Sequence, residues 1–155
     1  MSRMIRRHRD GHIEIRLGDA ERDVLVHVLD QLRDALVGDP DDPLLRRLFP
    51  PAYAEDPEKE AGFRALARDE LLESRLAALD VVEASVREKV LDVETAGAWM
   101  RALNSLRLVL GTRLDVTEDD DRGIDPDDPD APARALYYFL SGLVDELVDA
   151  LTAEL

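Results

Sequence analysis

The sequence predicts a mainly α-helical fold, a bundle of four longer helices plus a short helix, with an N-terminal β-hairpin packed on its edge. Three observations predict it. Apolar residues recur at helical spacing in four long segments. An Asp-Gly dipeptide divides the first 17 residues into two short segments that suit a hairpin. The 155 residues are 45% hydrophobic and include no cysteine, so a single domain can bury a core without disulfides.

The hairpin is expected over residues 3–17, with Asp10-Gly11 as a two-residue turn. Pairing outward from that turn sets Arg7 opposite Glu14 as a cross-strand ion pair. This register assigns six side chains to the core side: Met4, Arg6, His8, Ile13, Ile15 and Leu17. The outer face then carries Arg7, Arg9 and Arg16.

The first long helix is predicted over residues 19–37, with Asp19 as its N-cap and Gly38-Asp39-Pro40 as its end. Its apolar stripe has helical spacing: Leu25, Val28, Leu29, Leu32 and Leu36. A short helical turn is expected over 44–49, because Pro50-Pro51 cannot continue a helix.

The second long helix is predicted over 57–90, since Pro57 suits the first helical position. The third is predicted over 93–110, and Gly111 is expected to end it. Its apolar stripe consists of Trp99, Leu103, Leu106 and Leu110.

The last long helix is predicted over 133–153 and is apolar on more than half of its circumference. A second stripe with Tyr137, Val144 and Val148 runs beside its leucines. We therefore expect it to be the central helix of the bundle or to meet a second chain, which would make a homodimer through that face. Residues 115–132 before it form a polar, proline-interrupted acidic loop.

The net charge is -15, from 35 acidic against 20 basic residues. Such a field repels phosphate backbones and acidic membranes, so binding to nucleic acid is disfavoured. No apolar run reaches the length of a membrane helix, and the N-terminal residues lack the apolar core of a secretory signal. We expect a cytoplasmic protein that does not bind membranes.

The sequence offers little catalytic or metal-binding chemistry. It has no cysteine, no G-x-S-x-G, no glycine-rich phosphate loop and no H-E-x-x-H. The expected hairpin register puts His8 and His12 on opposite faces, and His27 has no partner at ligand spacing. The acidic loop fails as a calcium loop because Arg122 and Pro129 fall at ligand positions. No enzyme activity, cofactor or metal is predicted.

A polar group in the third helix has two interpretations. Asn104 and Arg107 share a helix face, and Arg113 follows Gly111. These residues could receive a carboxylate or phosphate. Alternatively they form an internal ion pair with an acid of the long second helix, for which the candidates are Asp69, Glu70 and Glu73.

The segment Phe49-Pro50-Pro51-Ala52-Tyr53 also has two interpretations. Its prolines favour an extended stretch that presents Phe49 and Tyr53 as apolar anchors for a partner. The favoured alternative is that both rings pack into the bundle and fix the angle between two helices.

Three segments together are distinctive: LRRLFPPAYAEDPE (45–58), FRALARDELLESRLAALDVV (63–82) and LNSLRLVLGTRLDVTED (103–119). With the hairpin they resemble an actinobacterial family catalogued as a domain of unknown function, over nearly the whole chain. The resemblance implies genes beside that of the ClpS protease adaptor and near cysteine-biosynthesis genes. Some members carry the label transcriptional regulator. The resemblance implies no catalytic residues.

The function expected from these observations is that of a non-enzymatic regulatory or adaptor protein that binds another protein. Its predicted contacts are the Phe49–Tyr53 segment, with Phe49, Pro50, Pro51 and Tyr53, and the face with Tyr137, Val144 and Val148. The alternative is a nucleic-acid-binding transcriptional regulator that uses Arg7, Arg9 and Arg16 of the hairpin.

Overall fold

The computed structural model of the chain describes residues 3–39, 42–49, 57–115 and 127–153, with the backbone alone described for 57–61 and 63–65. Its helices are α1 (Asp19–Val37), α2 (Pro57–Ser85), α3 (Val93–Arg113) and α4 (Ala131–Thr152), and a 3-10 turn covers Pro43–Leu45. Its strands are β1 (Ile5–Arg7), β2 (Ile13–Ile15) and β3 (Val90–Leu91). The predicted mainly helical fold with an N-terminal hairpin is confirmed. Within the same ranges, no helix combines the length and apolar character that spanning a membrane requires.

Helix α3 lies at the centre of the bundle and packs against α2, α4, α1 and the 3-10 turn. The four apolar side chains of its predicted stripe are all buried, and Trp99 is fully buried. The indole Nε1–H of Trp99 donates to the Ser85 hydroxyl at 2.8 Å, which satisfies the one polar atom of the ring. This hydrogen bond joins the second turn of α3 to the last residue of α2.

The hairpin pairs one residue away from the predicted register. Ile5 faces Ile15 and Arg7 faces Ile13 across the β1–β2 pair. The reason lies in the loop. The backbone N–H of His8 donates to the His12 carbonyl at 2.8 Å, so three residues, and not two, connect the strands. The last of them is Gly11, whose φ of 92° is a left-handed conformation that glycine adopts without strain.

This shift reassigns the strand faces, because a slip of one residue turns a strand over. Ile5, Ile13 and Ile15 are buried. Arg7 lies on their side of the sheet, and Arg6 lies on the outer side opposite Glu14. The predicted Arg7–Glu14 pair is therefore wrong: the Glu14 carboxylate instead accepts from the Nε–H of Arg16 at 2.8 Å.

Helix α2 ends earlier than predicted, at Ser85, and a third strand follows it. β3 pairs with β2 through Ile13 and Leu91, and the Ile15 backbone N–H donates to the Lys89 carbonyl at 2.7 Å. The hairpin is thus the start of a three-stranded antiparallel sheet that receives its last strand from the α2–α3 connection.

The other helix ends also differ in detail. The N-cap of α1 is Gly18 and not Asp19, and the Glu21 carboxylate accepts from the Gly18 backbone N–H at 3.0 Å. Helix α3 runs through Gly111 to Arg113. A Cβ atom on Gly111 would lie 3.1 Å from the Tyr137 ring. Gly111 therefore allows α4 to approach α3 closely and does not end the helix.

A buried arginine that the sequence analysis did not single out joins the sheet to the helices. The Arg22 guanidinium of α1 is 3% exposed. Its donors reach four backbone carbonyl oxygens at 2.6 to 3.1 Å: Ile15, Leu17, Val86 and Glu88. The Ile15 and Leu17 carbonyls lie at and just after the end of β2, and the Val86 and Glu88 carbonyls follow the end of α2. Arg22 therefore gives hydrogen-bond donors to carbonyls that precede α1 and follow α2, which are not paired within a helix.

Candidate functional site

The hairpin arginines do not form the shared face that the nucleic-acid alternative requires. The Arg7 guanidinium turns inward and donates to the Ala150 carbonyl near the end of α4 at 2.7 Å. Arg16 lies on the outer face and is held by Glu14, whose pKa is lowered by that hydrogen bond. Arg9 is exposed in the loop. Arg7 and Arg16 thus point to opposite sides of the sheet, contrary to the prediction.

The two hairpin histidines are directly opposed and not on opposite faces. Each lies beside a carboxylate: His8 Nε2 is 3.7 Å from Glu14, and His12 Nδ1 is 3.0 Å from Asp10. The pKa of Asp10 is lowered, first by the hydrogen bond from the His12 backbone N–H. Among the described residues, no three or more histidine or acidic side chains are grouped so as to hold a metal ion.

The polar group of α3 is divided between two places. Arg107 donates to the Asn104 side-chain oxygen at 2.7 Å, one turn away on the same helix. Within the described part of the chain, Arg107 forms no ion pair with the three candidate acids of α2. Arg113 is exposed and lies elsewhere, at the end of α3. The ion pair predicted between Arg107 and an acid of α2 is therefore not formed among the described residues. Arg113 lies apart from Asn104 and Arg107.

Phe49 is half-buried against the core, where two arginines of α2 cover its ring. Arg68 stacks 4.2 Å from the ring centroid, and Arg75 lies 5.9 Å away. Arg75 also donates to the Ser105 hydroxyl at 2.7 Å and to the Leu48 carbonyl at 3.0 Å, and burial lowers its pKa. These contacts support the packing interpretation of Phe49. The remaining members of that segment, Pro50, Pro51 and Tyr53, lie outside the described residues.

The second apolar stripe of α4 is not a single free face. Val144 is 4% exposed and belongs to the core, because α4 packs against both α3 and β1. Tyr137 is half-buried and its ring lies against Gly111. Val148 is 40% exposed. Packing against the sheet therefore buries part of the second apolar stripe of α4. Val144 is in the core and cannot contribute to the homodimer face that we expected.

The described residue ranges contain an apolar groove that sequence reasoning missed. It has a volume of about 220 Å³ and opens to the surface between α1, α3, α4 and the 3-10 turn. Nine of its eleven lining residues are apolar: Val28, Leu32, Ala35, Leu44, Leu106, Val109, Leu110, Ala133 and Leu136. The two polar ones are Gln31, on α1, and Arg113. Four of the apolar residues belong to the stripes predicted for α1 and α3, namely Val28, Leu32, Leu106 and Leu110, but no stripe indicates that a gap remains between helices.

The groove provides an apolar surface for binding, and its described lining provides no side chain that commonly acts as a nucleophile or a general base. None of the described residues that line it is Ser, Thr, Cys, His, Asp or Glu, so it contains neither a nucleophile nor a general base. Small-molecule sites commonly have volumes of about 300 to 1,000 Å³. A groove of about 220 Å³ is better suited to one or two apolar side chains of an inserted segment.

Comparison with known proteins gives a family and one named relative. A Mycobacterium leprae (strain TN) protein named "Putative oxidative stress regulator AosR" is 30% identical over 131 residues, which cover 74% of this chain and 60% of that protein. The chain thus spans about 60% of the length of that relative. No solved structure matches. The family model described as "Domain of unknown function (DUF2017)" matches residues 2–151. The chain therefore belongs to the DUF2017 family.

Proposed function

We propose that the chain is a non-enzymatic regulatory protein that acts by binding a segment of another protein in the groove between α1, α3 and α4. The observation that carries this proposal is the groove itself, which exposes apolar side chains to solvent. Leu44 at its edge is 36% exposed. An amphipathic segment that filled the groove would remove this apolar surface from water, as in other helix-in-groove complexes.

The named relative supports a regulatory role, since its name describes a regulator of oxidative stress. The 155 residues contain no cysteine, so a thiol–disulfide switch cannot operate within them. A response of this chain to oxidants would therefore use different chemistry or begin in its partner. The gene neighbourhood implied by the family resemblance, beside a protease adaptor, is compatible with an adaptor of this kind.

The test is a pull-down with the tagged chain from its native cell extract, read by mass spectrometry. Leu44→Asp places a charge at the groove edge, and Val148→Asp places the same charge at an equally exposed site on α4 outside the groove. We expect Leu44→Asp to lose a partner that the unchanged chain and Val148→Asp both retain. Circular dichroism of the two variants checks that both are folded.

The opposite pattern would contradict the proposal. A partner lost only with Val148→Asp would move the contact to the outer face of α4. Recovery that disappears after nuclease treatment of the extract would favour the nucleic-acid alternative.

A further inference from the structure

Strand β1 is an edge of the three-stranded sheet. Its even-numbered residues exchange backbone hydrogen bonds with the β2 side, as does His8, whose N–H donates to the His12 carbonyl at 2.8 Å just beyond the strand. In an antiparallel pair, alternate residues bond to the neighbouring strand. The backbone N–H and carbonyl groups of Ile5 and Arg7 therefore point away from the sheet.

Helix α4 occupies one of these outward groups. The Ile5 N–H donates to the Glu146 carboxylate at 3.4 Å. The backbone N–H and carbonyl of Arg7 have no hydrogen-bond partner among the described residues. Unpaired backbone groups on an edge strand are a template for the addition of another strand.

Two cavities adjoin β1, and both are lined by Arg6 and Arg7. One has a volume of about 230 Å³ and lies between β1 and the last two turns of α4. The other has a volume of about 470 Å³ and is lined by residues 6–10. We call the surface formed by these two cavities the β1 edge. It shares no lining residue with the groove between α1, α3 and α4, so it is a separate surface.

The β1 edge is locally positive on an acidic chain. Four arginines and three acids line its two cavities, whereas the whole chain has a net charge of -15. Arg3, Arg6 and Arg9 are exposed. Within the described ranges, the side chains of these three arginines make neither a hydrogen bond nor an ion pair.

Two of the three lining acids are already hydrogen-bonded. Glu146 accepts from two backbone N–H groups at the start of β1, and Asp10 accepts from a backbone N–H of the hairpin loop. Glu14 on the neighbouring strand is paired with Arg16, so these two residues add no net charge. Three guanidiniums and one carboxylate, that of Asp149, thus remain without partners at this surface in the described part of the chain.

We infer that the β1 edge binds an extended acidic segment of a partner protein, which joins the sheet as a fourth strand. The backbone of this segment pairs with Arg7, and its aspartate or glutamate side chains face Arg3, Arg6 and Arg9. The attraction is local, because exposed charges more than about 8 Å apart are largely screened at physiological ionic strength. Acids elsewhere on the chain therefore weaken it little.

The same arginines disfavour a second copy of the chain at this place. Two β1 strands paired about a two-fold axis would bring the arginines of one copy against those of the other. Like charges opposite each other destabilise strand pairing, and charged side chains on edge strands commonly prevent self-association. The β1 edge therefore attracts an acidic strand and repels a copy of itself.

The test begins with a phage-displayed library of random 12-residue peptides, selected on the full chain. Peptides that no longer bind the Leu44→Asp variant are assigned to the groove and set aside. We expect the others to carry aspartate or glutamate at alternate positions among β-branched residues, as in a strand. The tightest of them is synthesised with a fluorescent label, and its dissociation constant is measured by anisotropy at low and high salt.

A matched pair of double variants separates local charge from total charge. We expect Arg6→Gln with Arg9→Gln to weaken binding of this peptide about fivefold at low salt and less at high salt. Arg46→Gln with Arg101→Gln removes two exposed arginines that do not line the β1 edge. This control changes the net charge equally and should change the dissociation constant less than about twofold.

Amide hydrogen exchange, followed by NMR, tests the strand pairing itself. Binding of the peptide should slow exchange of the Arg7 amide, which has no acceptor among the described residues. The His8 amide is the internal control, because it already donates to His12 and its exchange should change little.

Each other outcome would overturn the inference. Recovery of no acidic peptide, or equal effects of the two double variants, would remove the β1 edge as the site. Binding that leaves Arg7 amide exchange unchanged would exclude a fourth strand. A labelled oligonucleotide that binds in place of any peptide would assign the arginines to nucleic acid, and a dimer with a protected Arg7 amide would assign the edge to a second copy. The proposed function is tested separately, since it depends on Leu44.

Discussion

At the scale of single residues, Arg22 donates to four backbone carbonyls, and its replacement gives the first prediction. In Arg22→Met, an unbranched apolar side chain replaces the aliphatic part of the arginine. The variant has no donors, so four buried or half-buried carbonyls lose their hydrogen bonds. Buried acceptors that lose a partner are costly because no water replaces it. We expect the free energy of unfolding, measured with urea, to fall by about 3 kcal/mol.

Arg87→Met is the control for that experiment. Arg87 follows the last residue of α2 by two positions, close in sequence to the Val86 and Glu88 carbonyls that Arg22 binds, but it is exposed and pairs with Asp23 at the surface. Exposed ion pairs contribute about 0 to 1 kcal/mol. Equal losses in Arg22→Met and Arg87→Met would show that the carbonyl contacts of Arg22 contribute no more than a surface pair.

Gly111 gives a second prediction at this scale. Leucine is a better helix former than glycine, so Gly111→Leu would stabilise α3 if space allowed. The Tyr137 ring and the Arg47 guanidinium both lie 3.1 Å from the position of a Cβ atom, so we expect overpacking to dominate. The variant should lose about 1 to 3 kcal/mol in thermal or urea unfolding. Gly62→Leu on α2, where a Cβ would meet nothing within 4 Å, is the control and should not destabilise.

At the scale of elements, the attachment of the hairpin to α4 depends on Glu146. Its carboxylate accepts from the backbone N–H groups of Met4 at 3.0 Å and Ile5 at 3.4 Å. These donors lie at the N-terminal end of β1, which is an edge strand of the sheet. We expect Glu146→Ala to lower the free energy of unfolding by about 1 kcal/mol and to speed hydrogen exchange of β1 and β2 amides before those of α3.

Asp145→Ala is the matched control on the same turn of α4, because Asp145 is exposed and makes no such contact among the described residues. Unchanged exchange of the hairpin amides in Glu146→Ala would mean that β1 is held by its apolar face alone.

The start of α3 gives a prediction of pH dependence. The Asp92 carboxylate accepts from the Thr95 backbone N–H at 2.7 Å, and this hydrogen bond lowers its pKa. A carboxyl whose pKa is lowered by folding stabilises the fold above its unfolded pKa of about 3.9, and this contribution is lost as the pH falls through the lower folded value. Asp92→Asn retains a capping oxygen without a charge. We expect the unfolding free energies of the two proteins to differ at pH 7 and the difference to shrink as the pH falls through the lowered pKa that Asp92 has in the folded state.

Convergence is the informative feature of that experiment. Asp10 and Glu14 also have lowered pKa values, but they are present in both proteins and cancel in the difference. A difference that stays constant over the whole pH range would contradict a charged N-cap at Asp92.

The sequence predicted the helices better than the sheet. Leucines at helical spacing are a strong signal over 19 residues of α1, and all five members of its stripe are buried. Val90 and Leu91 form a strand of two residues, which is too short for an alternating pattern. The hairpin loop length decided the register, and an Asp-Gly pair is compatible with two or three loop residues. Arg22 could not be identified, since an arginine on a helix is ordinarily exposed.

At the scale of the whole molecule, the net charge gives a prediction about binding to nucleic acid. Arg7 contacts Ala150 and Arg16 is held by Glu14, and the other described arginines of the N-terminal segment, Arg3, Arg6 and Arg9, are exposed on a protein of net charge -15. We expect no mobility shift of duplex DNA at physiological salt. A salt-dependent shift that disappears in the double variant Arg6→Ala with Arg9→Ala would contradict this expectation.

The candidate site could not be predicted from the sequence because it belongs to no single element. Its lining comes from three helices and the 3-10 turn, and each of its nine apolar residues by itself is typical of a core position. The gap arises from how α1 and α4 flank α3, which is a property of packing.

The position of the one tryptophan also gives the protein an internal optical reporter. Trp99 is fully buried and its indole is hydrogen-bonded to Ser85, so its emission records the joint between α2 and α3 and is not mixed with that of any other indole. Trp99 does not line the groove. Unfolding will therefore shift the fluorescence to longer wavelength, whereas a ligand seated in the groove will leave it nearly unchanged unless the bundle itself rearranges.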